Sequence, residues 1–173
     1  RTRRHRSQNN RKDRSEGNGH RAKRAVEHYP FGSTGKGELI MGQPAANGSS
    51  TVVGVDTHIV LVPSPGGPIP TPLPHQFNGQ ITSGLVSSVT IAGQPAAVVG
   101  SVANNQPPHI PTPPGTSFQT PPTNQGTVHM GSQTVMIGGK NAARNGDPVR
   151  TCNDPTELPV GQIVAPTPTV MFG

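Results

Sequence analysis

Short runs of β-branched and aliphatic residues, broken every few positions by glycine or proline, carry the apolar content from about Glu38 onward. They fall at 51–55, 58–62, 81–92, 98–102, 127–137 and 161–165. Several alternate with a period of two, as in Val128 and Met130, then Val135 and Ile137 around the Gly131-Ser132 turn. That alternation places apolar side chains on one face of a strand. No window carries a 3.6-residue apolar stripe, so the pattern predicts an all-β chain in which helix is minor. Between the strands lie two proline-rich connectors, 63–74 and 107–122. Proline fixes φ and removes a backbone donor, so both are expected to run as extended surface paths and not as central strands. Each connector ends in a turn that re-enters a strand, Phe77-Asn78-Gly79-Gln80-Ile81 in one case and Asn124-Gln125-Gly126-Thr127-Val128 in the other.

A repeat underlies these strands. Ile40-Met41-Gly42-Gln43-Pro44-Ala45-Ala46 leads to His58, and Ile91-Ala92-Gly93-Gln94-Pro95-Ala96-Ala97 leads to His109. Ile137-Gly138-Gly139-Lys140-Asn141-Ala142-Ala143-Arg144 leads to Cys152. Pro44 to His58 and Pro95 to His109 are both 14 residues, while Asn141 to Cys152 is 11. The grammar predicts approximate three-fold internal symmetry, with a side chain able to bind metal at the same level of each copy.

Composition changes what must hold such a body together. Only 29% of the 173 residues are hydrophobic and 3% aromatic, with 22 Gly, 21 Pro and no Trp. Little large apolar surface is available for a core, and structural metal is the usual remedy for such a scaffold. A single cysteine excludes an intrachain disulfide. No apolar stretch approaches the roughly 20 residues that span a bilayer, and the N-terminal residues do not read as a secretory signal.

Charge divides the chain. Residues 1–28 hold ten Lys and Arg against three acids, +7, whereas the remainder holds four bases against five acids, −1. Residues 1–37 are therefore expected to form a basic, disordered or extended tail, and residues 38–173 the folded domain. Such a tail suits contact with nucleic acid, an anionic membrane or an acidic partner. No aromatic is interleaved among its arginines before Tyr29, which argues against a stacking platform for single strands.

Five good zinc donors lie outside the tail: His58, His75, His109, His129 and Cys152. A closed tetrahedral site needs four. Repeat position selects His58, His109 and Cys152. His75 is favoured over His129 as the fourth because it lies in a Pro-flanked loop just before a turn, whereas His129 sits within a strand run. Asp56, two residues before His58, and Asp154, two after Cys152, are placed to orient ligands from behind. His5, His20 and His28 in the tail have no repeat support and read as solvated. A set of three His and one Cys is structural, since catalytic zinc keeps an open position and a nearby carboxylate base. The alternatives are a Cys-based or metal-dependent enzyme and a nucleic-acid-binding module. Gly32-Ser33-Thr34-Gly35-Lys36-Gly37 fails as a phosphate loop because Gly37 stands where Ser or Thr is required.

Gly138-Gly139-Lys140-Asn141-Ala142-Ala143-Arg144-Asn145-Gly146-Asp147-Pro148 resembles the Pro-Ala-Ala-Arg repeat of PAAR proteins, the spike-tip proteins of contractile injection systems. Further marks of the PAAR-like branch are Pro72-Leu73-Pro74-His75-Gln76-Phe77-Asn78-Gly79, Pro107-Pro108-His109-Ile110-Pro111, Gly115-Thr116-Ser117-Phe118-Gln119 and Thr151-Cys152-Asn153-Asp154-Pro155. The pattern departs from the family where Asn141 replaces the motif proline and where Asn47 and Val98 stand at the Arg position. The resemblance implies a small conical all-β fold of short strands and Pro-rich loops with one structural zinc at its vertex. The ligands would be His58, His75, His109 and Cys152. It also implies that the broad base caps a trimeric VgrG-like β-helical spike, one tip per trimer, with no catalytic turnover. Effector cargo is a further expected partner, specific nucleic acid is not, and the target membrane is met mechanically. The expected location is an injection particle assembled in the bacterial cytoplasm and delivered to the extracellular space or target envelope.

Overall fold

One unit is used three times along the described chain. The computed structural model describes residues 42–166 and 170–173. In chain order the strands are β1 (Gln43–Pro44), β2 (Thr51–Val62), β3 (Ile69–Ser83), β4 (Val86–Ile91), β5 (Gln94–Ala96), β6 (Val102–Asn105), β7 (Ser117–Phe118), β8 (Gln125–Val128), β9 (Met136–Ile137), β10 (Lys140–Asn141), β11 (Pro148–Thr151), β12 (Leu158–Val164) and β13 (Met171–Phe172). The fold is all-β, with no helix among the described residues. The expected tail, 1–37, and its three histidines lie outside them.

Each unit begins with the Ala-Ala pair and ends in an antiparallel pair of strands: β2 with β3, β6 with β8, and β11 with β12. Antiparallel pairing of β3 with β6, β8 with β11 and β12 with β2 closes the three pairs into a six-stranded barrel. At its floor the second alanines form a ring. Ala46 N–H donates to Ala143 O at 2.9 Å, Ala143 N–H to Ala97 O at 3.0 Å, and Ala97 N–H to Ala46 O at 3.0 Å. All three are fully buried. A second ring surrounds it, from Gly48 N–H to Pro95 O, Val99 N–H to Asn141 O and Asn145 N–H to Pro44 O, at 2.7–2.9 Å. Three chain segments meeting on one axis leave room for a methyl group and little more, which is why the motif uses alanine.

The turn after each pair is fixed by a side-chain oxygen. Ser50 Oγ accepts from Asn47 N–H at 3.0 Å, Ser101 Oγ from Val98 N–H at 3.0 Å, and Asp147 Oδ2 from Arg144 N–H at 2.7 Å. The residue at the motif-arginine position contributes its backbone N–H in every copy, while its side chain meets a different neighbourhood in each: Asn47 Nδ2 donates to the Ile91 carbonyl at 2.9 Å, and Val98 packs in the apolar layer below. Only in the third copy is the acceptor a buried carboxylate, and there the Arg144 guanidinium pairs with it at 3.1 Å. Ser50 and Ser101 carry no charge to balance, so Asn47 and Val98 serve in the other copies.

The returning strands share a second triplet. Gly79, Gly126 and Gly161 face inward, and two residues later Ile81, Val128 and Ile163 fill the interior. A six-stranded barrel is narrow, and the glycines give the opposing strands room. A Cβ on Gly79 would lie 2.5 Å from the Asn104 carbonyl oxygen.

Below the floor, short ribbons carry the first half of each repeat: β4 with β5, β9 with β10, and β1 with β13. In the first copy the arm comes from the C-terminal strand, with Ala45 N–H bonded to Val170 O at 2.8 Å, as Ala142 N–H is to Val135 O at 3.0 Å in the third. A small apolar layer of Ile91, Ala96, Val98, Ile137, Ala142 and Phe172 packs there.

Four expectations change. Residues 51–62 form one strand where two were expected, and 81–92 are split by a turn at Gly84, where φ is +69°. The first proline-rich connector is not a surface path throughout: from Ile69 it is the outer half of β3, paired with β2 at Leu61↔Pro70, Ile59↔Pro72 and Thr57↔Pro74. Spaced by two, the three prolines put their missing donors on the same side, and β6 pairs with β3 only from Gly79 onward. The strand therefore loses no ladder bond to them. His129 follows the end of β8 and is not mid-strand.

Gly79→Ala is expected to destabilise the domain by about 1–3 kcal/mol, because the clash is with backbone. Gly66→Ala meets nothing within 4 Å and should stay within about 0.5 kcal/mol of the parent. Thermal unfolding of both variants checks this; equal melting temperatures would refute the packing account.

Candidate metal centre

The β2–β3 pair runs beyond the barrel, and its inward face supplies the first donors. Asp56 and His58 lie two apart on β2, and His75 on β3 is the register partner of Asp56, so all three share a face. His75 is thus aimed inward by strand alternation and not, as expected, by a loop. His109 comes from the loop between β6 and β7, where Asn124 Oδ1 accepts from its backbone N–H at 2.7 Å. Cys152 directly follows β11.

These residues converge. Single donor atoms of Asp56, His58, His109 and Cys152 all lie within 4.8 Å of one another. His75 joins them with its ring centroid 5.1 Å from that of His58 and 5.6 Å from that of His109. His129 is not part of the group: it lies beside Arg150, 3.5 Å from the guanidinium. His58 and Asp56 are fully buried, Cys152 is 5% exposed and His75 6% exposed. Phe118, placed by pairing of β7 with β2, covers the rings of His58 and His75 at 5.5 and 5.2 Å, and Phe77 lies 6.2 Å from His109.

Hydrogen bonds fix how each imidazole presents itself. His58 Nδ1 faces Asp154 Oδ2 at 3.3 Å, which leaves Nε2 directed at Cys152 Sγ, 3.8 Å away. His75 Nδ1 donates to the Leu73 carbonyl at 2.9 Å, and its Nε2, fully buried, has no hydrogen-bond partner among the described residues. A buried polar atom without a partner is costly. Here it is an imidazole lone pair on a ring packed beside those of His58 and His109. Asp56 is the hub: Oδ1 accepts from Thr151 Oγ1 and from Asn153 Nδ2, while Oδ2 lies 3.3 Å from both His109 Nε2 and Cys152 Sγ.

This donor set fits a divalent metal. Ligand atoms about 2.0–2.3 Å from a shared ion, at tetrahedral angles, lie about 3.3–3.7 Å apart. The separations of 3.3 Å from Asp56 Oδ2 to His109 Nε2 and to Cys152 Sγ, and of 3.8 Å from Cys152 Sγ to His58 Nε2, are of that size. Imidazole and thiolate together favour zinc or a similar borderline ion, and the outward nitrogens of His58 and His75 are oriented by a carboxylate and a carbonyl, as metal-bound histidines usually are.

Electrostatics argue against a nucleophilic thiol. Burial, then the Asp56 carboxylate, push the Cys152 thiol up to about 12, far from the lowered values of reactive cysteines. Burial also lowers His58 and His109 below 6.5, against the opposing pull of Asp154 and Asp56. Sequence reasoning gave Phe118 and Asn153 no role of their own and set Asp56 to orient ligands; the structure brings Asp56 Oδ2 within 3.3 Å of His109 Nε2 and Cys152 Sγ.

The directions of these shifts fix the pH response of the metal-free domain. Below 6.5 the unfolded chain takes up protons that buried His58 and His109 refuse, so stability falls as pH drops. Above 9.0 the unfolded chain ionises Cys152 while the folded thiol keeps its proton, so stability falls as pH rises toward 12. Urea midpoints of chelated protein should peak between these limits. A midpoint still climbing at pH 10 would contradict the assignment.

Comparison with known proteins adds one finding. No curated protein and no solved structure matches the chain. A family model does match, described as the PAAR motif, over residues 119–173. That span holds the third repeat and the strands β8 to β13 around it, and the alanine ring ties the first two copies to it as equivalents. Over those residues the chain is similar to the PAAR motif, and the all-β fold and the candidate metal site are consistent with that likeness.

Proposed function

We propose that this chain is the zinc-stabilised tip that caps the trimeric, VgrG-like β-helical spike of a contractile injection machine and helps it pierce the target envelope. The observation that carries the reading is the three-fold floor. One chain presents three ribbons, β1–β13, β4–β5 and β9–β10, around a single axis, and each is a two-stranded sheet with no further strand on it among the described residues. A trimer ends in three equivalent sets of strand edges, and a monomer with three pseudo-equivalent edges can continue all three ladders. Residues 38–173 are the tip domain in this reading.

At the opposite end, His58, His75, His109 and Cys152 would hold one zinc. That ion would supply cross-links where the strands leave the barrel and the apolar core gives out. Structural zinc contributes an apparent binding free energy of roughly 10–16 kcal/mol, enough to stiffen a point made of short loops. Work is delivered by the contracting sheath, and the tip needs rigidity, not turnover. Assembly would take place in the bacterial cytoplasm, with the particle then carrying the tip outward. Residues 1–37, with most of the chain's positive charge, would tether effector cargo.

Native mass spectrometry of the chain mixed with a spike trimer should give one chain per trimer and one zinc per chain. Failure to cap the trimer, with zinc bound, would overturn the spike reading. Removing zinc with a chelator should lower the urea midpoint sharply. Deleting residues 1–37 should leave capping intact and abolish cargo loading; unchanged loading would remove the tether.

A further inference from the structure

We propose that the outer wall of the barrel along β2 and β12 is a docking surface for an amphipathic helix of a second protein, one with an aliphatic stripe and a carboxylate on its flank. The surface lies apart from the metal centre and from the three ribbons below the floor, and the proposal depends on neither.

The repeated fold supplies its own controls. Three seams join the copies, and their registers set Gln80 opposite Asn104, Thr127 opposite Arg150 and Gln162 opposite Val53 at one level. At this level and the one above it, the outward residues of the first two seams are polar, Asn78, Gln80 and Asn104 on one and Gln125, Thr127 and Arg150 on the other. On the third, Gln162 stands among Val53 and Val55 of β2 and Leu158, Val160 and Val164 of β12, and these five are each 41% to 47% exposed. Equivalent strands with equivalent pairing thus accept amides and charge, so the barrel does not require aliphatic side chains there. A contiguous exposed apolar patch without a role in the fold marks an interaction site.

The ladder decides what can bind. β2 lies between β3 and β12, and β12 between β2 and β11, so neither strand offers a free edge for augmentation. An extended segment laid on this face would desolvate N–H and C=O groups that valine cannot bond. A helix bonds its own backbone and meets the face with side chains alone. Neighbouring strands are about 5 Å apart and the row from Leu158 to Val164 covers about 20 Å, room for one helix of about 13 residues. A second copy of this chain fits less well: five side chains, each less than half exposed, offer a few hundred Å² against the roughly 800 Å² per partner of a stable interface.

Charge specifies the helix further. Arg150 stands on β11 at the border of the stripe, beside β12, and has no carboxylate partner among the described residues; its guanidinium lies 3.5 Å from His129 Nε2. Asn78 and Gln76 border the other side, as register partners of Val53 and Val55. An aspartate or glutamate on one flank of the helix gives Arg150 its counter-charge, and the uncharged amides leave the opposite flank neutral.

The probe is a library of displayed random peptides, each long enough for a helix of about 13 residues, selected against the full chain. Enriched peptides are expected to carry aliphatic residues at i, i+3, i+4 and i+7 with an acid beside them. Their binding, followed by fluorescence anisotropy, should weaken about tenfold or more in the Val53→Thr/Val160→Thr double variant, whose melting temperature should match that of the parent because both side chains are exposed. Arg150→Glu should turn the selection toward a basic flank. Enrichment of alternating apolar residues, no enrichment at all, or binding that survives the double variant would overturn the proposal. Self-association of the parent chain that the double variant abolishes would also overturn it, by making the occupant a second copy.

Discussion

Everything in this fold hangs on three backbone hydrogen bonds that run in a circle. Ala46, Ala97 and Ala143 each donate to the next and accept from the last, so the first residues of three distant repeats are locked at one level around one axis. The geometry tolerates only a small side chain at the centre, and it sets the starting point and direction of every strand that follows. The returning N–H groups of Ile81, Val128 and Ile163 bond to the carbonyls of Ser50, Ser101 and Asp147 at 2.9–3.1 Å. Three separated segments of chain thereby become one barrel.

A barrel started this way has a well-packed floor and a poor roof. Near the floor, Ala, Val and Ile side chains from all three copies fill the interior. Farther up, glycines and then polar side chains replace them: Asp56, Thr151 and Asn153, and beyond these the histidines and Cys152. Buried polar groups are acceptable when every one is satisfied, and a half-satisfied network is worse than an apolar core. His75 Nε2, without a partner among the described residues, marks the point at which those residues do not complete the network. In the proposed reading a metal ion would complete it and cross-link β2, β3, the β6–β7 loop and the residue after β11. The same end is lidded by Phe118, brought in by a loop whose prolines lose little entropy on ordering.

Three-fold symmetry in a single chain also allows the copies to diverge. The third pairs a buried Asp147 with Arg144, and the first two do the same structural work with serine. The shorter third connection ends in a cysteine, not a histidine, and it also delivers Asn153 and Asp154 to the cluster. An exact trimer of identical repeats could not place one thiol, one carboxylate hub and three imidazoles around a single point.

Much of this was readable from the residues alone, for definite reasons. Turn chemistry and period-two alternation are local, so an all-β chain, its repeats and the equivalence of His58, His109 and Cys152 followed from spacing. Only the tertiary structure decided pairing partners. It made residues 69–74 half of a strand, because prolines spaced by two leave their missing donors on one side. It turned His75 inward opposite Asp56, brought Phe118 over the histidines, and set Asp56 Oδ2 within 3.3 Å of His109 and Cys152. Spacing along a chain reports which side chains share a face, whereas distances across a barrel are fixed by hydrogen bonds between segments roughly fifty residues apart, and these exist only once the three copies have closed.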